Sequence, residues 1–156
     1  MTHSRGSLAT SGQAQITELK LPARSDYIVV AKRAAGALAM MVGFPLESID
    51  DLSIAISQAC DNAIALATAQ WGANNGQLKL LFKTEGGKLD VEVRNLPPHA
   101  FEAPVSHAVR RVRRQPEFDF EIIGLNMIRL FVDELRYQID HETGSMRMRM
   151  VKYLVE

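Results

Sequence analysis

Apolar residues first recur among polar neighbours at Ile16, Leu19 and Leu21, which predicts a short strand closed by Pro22. Strong helix formers then run from Asp26 to about Met41, with Ser25 positioned to cap the start and Gly43 to cap the end. A second helix is expected to begin near Ser48, where Asp50 and Asp51 put negative charge in the first turn. It runs to about Gln70, and Ile49, Leu52, Ile56, Ala59, Ala63 and Leu66 recur at three- and four-residue steps along one buried face. Gly72, Asn74, Asn75 and Gly76 end it.

Strict alternation follows. Leu78, Leu80 and Phe82 alternate with Lys79 and Lys83, Gly86 and Gly87 turn the chain, and Leu89, Val91 and Val93 alternate with Asp90, Glu92 and Arg94. This predicts a hairpin. Asn95, Pro97 and Pro98 are expected to break its second strand, and Ala100 to Phe120 has no periodicity. A helix from about Ile122 to Phe131 precedes a second hairpin, built from Leu135, Tyr137 and Ile139 against Met146, Met148 and Met150. The order implies an α+β domain: a two-layer arrangement of one largely antiparallel sheet with three helices on one face.

Composition narrows the class. The 156 residues carry 18 Lys plus Arg against 18 Asp plus Glu, and this zero net charge disfavours a dedicated nucleic-acid binder. Residues 1–15 are small and polar and read as a disordered leader, leaving one domain over 16–156. The longest uninterrupted apolar runs are too short to cross a bilayer, so no membrane association is expected. The single Cys60 excludes an internal disulfide and fits a reducing, cytoplasmic setting. His3, His99, His107 and His141 have no metal-site spacing.

Candidate chemistry centres on Gln58 and Asn62, four residues apart on the second helix and so on one side of it, at the edge of the buried face. Spacing alone equally allows two flank amides bonded to water or backbone. Cys60 lacks a basic partner in the sequence and reads as a buried inert thiol. Arg110, Arg111, Arg113 and Arg114 form a basic cluster followed by Glu117, Asp119 and Glu121. The cluster fits either a solvated loop or a site for an anionic partner. It is poor in the aromatic residues that stack on bases.

The stretch Ser57-Gln58-Ala59-Cys60-Asp61-Asn62-Ala63, preceded by Met41-Val42-Gly43-Phe44 and Asp50-Asp51-Leu52, resembles the first nucleotide-binding box of the bacterial anti-sigma factor serine kinases. These are partner-switching regulators in the histidine-kinase-like, Bergerat-fold ATPase superfamily. The similarity extends from about Ile16 to Leu154, with Val151-Lys152-Tyr153-Leu154 resembling the closing strand. In that family the box carries a Glu, thought to act as base, and an Asn that holds magnesium. Asn62 matches the Asn, and Gln58 stands where the Glu belongs. An amide cannot take up a proton, so base chemistry is expected to be lost.

The resemblance implies two more boxes, both eroded. The family's adenine-binding Asp-x-Gly falls on Leu96 and Pro98, with Asn95 a substitute acceptor if the register slips by one. The glycine-rich phosphate run falls on Glu121-Ile122-Ile123-Gly124-Leu125, where only Gly124 survives, leaving Gly124 and Leu125 as candidate nucleotide contacts. Lys32, with Arg33 beside it, matches a basic position that contacts the sigma factor in the family. The implied function is an anti-sigma-factor-like regulator acting by binding, its partners a sigma factor and a STAS-domain anti-anti-sigma protein, its state a homodimer, with no cofactor required. The alternative is an active serine kinase using Mg-ATP, with Asn62 as the magnesium ligand; Mg-ATP or ADP is the nucleotide that the resemblance would allow in the pocket. A third reading, nucleic-acid binding through Arg110 to Arg114, has the least support.

Overall fold

The two alternating hairpins and the N-terminal strand assemble into one five-stranded sheet, in a computed structural model that describes residues 13–98, 124–140 and 142–155. The strands are β1 (Gln15–Pro22), β2 (Gln77–Glu85), β3 (Lys88–Leu96), β4 (Glu134–Asp140) and β5 (Ser145–Tyr153), in the spatial order β1-β2-β3-β5-β4 with every pairing antiparallel. Helices α1 (Ile28–Val42) and α2 (Leu46–Trp71) and a helical stretch over 124–129, α3, complete the described elements. This is the α+β architecture expected. The leader up to residue 12, Arg110 to Arg114, Glu117, Asp119, Glu121, Ile122 and His99, His107 and His141 lie outside the described residues.

Period-two alternation sorts the sheet into two faces. Leu78, Leu80, Phe82, Leu89, Val91, Val93, Met146, Met148 and Met150 are fully buried on the inner one. Ala31, Ala35 and Ala39 of α1 and Ala55, Ala59, Ala63 and Ala67 of α2 are also buried, and their small side chains let helix backbones approach each other and the sheet closely. By length and hydropathy α2 would pass for a membrane span, with mean hydropathy 1.2 over 18 residues. Here its apolar stripe, Leu52 and Ile56 included, lies in the core.

Three boundaries differ from expectation. Ser25 caps no α-helix: Ser25–Tyr27 is a turn of 3-10 helix, and α1 follows it from Ile28 without a side-chain cap. Helix α2 starts at Leu46, not near Ser48, because Pro45 sits in extended conformation at the N-cap and its carbonyl accepts from Ile49 N–H at 3.1 Å. Glu47, not Asp50 or Asp51, is therefore the first-turn acid. Strand β3 continues through Asn95 to Leu96, since Leu78 and Gln77 of β2 pair with both, and the prolines break it only afterwards. Gly43 ends α1 as expected, at φ +106°, its N–H reaching the carbonyls of Ala39 and Met40.

Candidate functional site

One turn of α2 separates Gln58 from Asn62, and the Gln58 Nε2 donates to Asn62 Oδ1 at 3.3 Å. Asn62 is only 6% exposed, and its Nδ2 has no hydrogen-bond partner among the described residues. The amide O and N assignments are interchangeable by rotation. Turned either way, the pair shares one bond, and one Asn62 polar atom is left over.

The third member of the cluster comes from α3. A Cβ on Gly124 would lie 3.0 Å from Gln58 Nε2, 3.1 Å from Asn62 Nδ2 and 3.2 Å from Asn62 Oδ1, so a glycine backbone rests directly on the amide pair. Three residues chosen from the sequence thus converge, although 62 and 124 are far apart in the chain. Leu125 points elsewhere. It is 5% exposed and belongs to the hydrophobic core, which makes its side chain a packing group.

Asn95 also lies on the inner face, continuing the alternation of Val91 and Val93, whereas Leu96 is out of phase with them. Asn95, and not Leu96, is therefore the side chain that faces inward at this end of β3. Yet the amide is engaged. Nδ2 donates to Gly144 O at 2.8 Å and to Ala63 O at 3.4 Å, and Oδ1 accepts from Met146 N–H at 2.9 Å. Asn95 ties β3 to α2 and to the β4–β5 turn.

Sequence reading missed this clamp and its partner Gly144. Gly144 has φ +78°, and a Cβ there would meet Gln70 Cβ at 2.6 Å, so the turn seats against the end of α2 only as glycine. The glycine in His141 to Ser145 was visible as a turn; its contact with Gln70 was not.

Cys60 is fully buried, and burial, reinforced by the Asp61 charge, pushes its thiol up to about 12. It is a buried thiol, as expected, and both its burial and its raised pKa disfavour the thiolate. Asp61 is itself raised by burial. Lys32 is half-buried and Arg33 exposed on α1, and no bond of the amide cluster reaches either. Among the described residues no group of three or more His, Cys, Asp or Glu side chains could hold a metal ion.

Comparison with known proteins adds the following. A family model described as a histidine kinase-like ATPase domain matches residues 21–152. A Bacillus cereus serine-protein kinase RsbW is 29% identical over 147 residues, covering 88% of this chain and 84% of the relative. The Bacillus licheniformis serine-protein kinase RsbW is 26% identical over 152 residues, covering 90% and 87%. Among solved structures, the RsbU and RsbW domains of a Mycobacterium tuberculosis protein superpose with a TM-score of 0.61 at 18% identity. That match covers 90% of this chain and 32% of the longer one, and is a likeness of fold.

Proposed function

The chain belongs to the histidine kinase-like ATPase family, with its two-layer α+β fold, and from that premise we propose that it is a cytoplasmic partner-switching regulator of the anti-sigma factor kind. It acts by binding, and its kinase chemistry is lost. The observation that carries this reading is the amide pair: Gln58 donates to Asn62 where the chemistry of the family's Glu calls for a proton acceptor.

A magnesium nucleotide does not fit the described residues. A divalent cation needs an oxygen it can reach, and in either amide orientation Asn62 is 6% exposed and lies beneath Gly124. At the adenine end Asn95 is 4% exposed and bonded through both of its polar atoms.

The partners proposed are a sigma factor, met by Lys32 and Arg33 of α1, and a STAS-domain protein that competes for the regulator. The regulator itself is a homodimer. The test is to mix the purified chain with Mg-ATP and its STAS-domain partner and measure serine phosphate by mass spectrometry. The expected result is complex formation without phosphate transfer. Stoichiometric phosphoserine would return the protein to the kinases, as the name of its relatives suggests, and a chain that captures neither partner would end the regulator reading.

A further inference from the structure

The outer face of the sheet, which no described helix covers, carries a charge pattern that the amide site does not explain. Lys20 of β1 lies opposite Lys79 of β2, Lys79 opposite Arg94 of β3, and Arg94 opposite Arg147 of β5. Four cations thus form one row across four strands, each facing its like. Directly opposed side chains stand about 5 Å apart at Cβ, and like charges there destabilise the pairing. A row assembled from four separate strands at that cost calls for a counter-charge. Within the described residues the relief is slight: Lys79 reaches Glu18 at 3.8 Å and Arg94 reaches Glu92 at 3.8 Å, both long and partly exposed.

Beside the row the face is shaped. A shallow cleft of about 670 Å³ is lined by Arg136, Arg147, Arg149, Lys83, Asp90 and Glu92. Its floor is fixed by Arg149, which grips Asp90 with Nε at 3.0 Å from both carboxylate oxygens and a terminal nitrogen at 2.6 Å. Asp90 is 6% exposed although it sits on the solvent face. This pair is self-neutralising, so the anion-seeking charge of the cleft rests on Arg136, Arg147 and Lys83, none of which has a carboxylate in ion-pair range among the described residues.

We propose that this outer face docks an acidic segment of a partner protein, its carboxylates lying along the row Lys20, Lys79, Arg94 and Arg147. A nucleic acid fits less well. Glu18 and Glu92 flank the row, so an unbroken line of phosphates would meet them, whereas a peptide can set its carboxylates on the cations alone. The face carries its own charge pattern, and the proposal stands whether or not nucleotide binds on the opposite side.

Fluorescence anisotropy of a short labelled glutamate-rich peptide at low salt tests it, with a single-stranded oligonucleotide of equal charge alongside. The peptide should bind in a salt-sensitive manner, more tightly than the oligonucleotide. Affinity should fall at least tenfold in the triple variant Lys79→Gln, Arg94→Gln, Arg147→Gln and stay unchanged in Arg129→Gln, an exposed cation of α3. The triple variant should also melt at a higher temperature than the parent, since like-charge opposition is relieved. Absence of peptide binding, binding indifferent to the triple variant, tighter oligonucleotide binding, or a lower melting temperature in the triple variant each overturns the proposal.

Discussion

Two asparagines are buried on the inner side of this molecule, and they are buried differently. Asn95, at 4% exposure, has both polar atoms bonded to backbone groups of three separate elements or turns. Asn62, at 6%, has one bond to a neighbouring amide and, among the described residues, one atom with none. A saturated buried amide is a structural clamp. An unsaturated one costs free energy in every folded molecule, on the order of 1–3 kcal/mol, and marks the spot where folding alone does not account for the residue. The difference sets a clamp apart from an unsaturated amide at two positions to which the family resemblance gave separate roles, magnesium ligand and substitute adenine acceptor.

The largest effect should come from removing the clamp. Asn95→Leu would leave Gly144 O and Met146 N–H buried without partners, at a cost of roughly 3 kcal/mol. The unfolding midpoint should fall by about 6–12 °C in calorimetry. A loss no greater than that of Asn62→Leu would erase the distinction. Labelling of the buried Cys60 by a thiol reagent should accelerate in the same variant, because α2 then loses a tie to the sheet.

Cys60 also gives a pH signature. Its thiol titrates near 9.0 in the unfolded chain and is pushed up to about 12 by burial in the fold. The raised value favours the neutral form, so this contribution to stability is intact below about pH 9 and declines as pH rises toward 12. By pH 10 the loss should reach about 1.4 kcal/mol in denaturant titrations and be absent in Cys60→Ala.

A smaller effect concerns the contact at Asn62. Gly124→Ala places a methyl 3.0 Å from Gln58 Nε2, and a double-mutant cycle with Gln58→Ala should return a coupling of about 1 kcal/mol, the alanine being better tolerated once Gln58 is shortened. Additivity would mean the amide pair yields freely. Smallest as a loss, Asn62→Leu should leave stability unchanged or raised by up to about 3 kcal/mol, since the unpartnered amide goes, the shape is kept and a half-buried Gln58 can bond to water. A fall as large as that of Asn95→Leu would make Asn62 a second clamp.

Both hairpins, both long helices and the two-layer class were legible because each is a local pattern. Alternation at Leu78 to Phe82 and Leu89 to Val93 tells which side chains share a face, and the three- and four-residue steps along α2 tell the same for a helix. Extended by one more step, that alternation reaches Asn95, so its inward orientation was readable and was hidden only by the expectation that Asn95 breaks the strand. The start of α2 was missed because two aspartates outweighed Pro45, whose fixed φ makes the earlier break.

The amide pair is also a local fact, since four residues along a helix bring Gln58 and Asn62 together whatever surrounds them. What no local pattern carries is the company each buried amide keeps. Gly124 rests on Asn62, the β4–β5 turn is fastened to Asn95, and four cations line up across four strands. Each depends on strand order and register, which are set when the chain closes long loops and buries one face of every element at once. Residues far apart in the chain share no periodicity, so their meeting is decided by the packing of the whole fold.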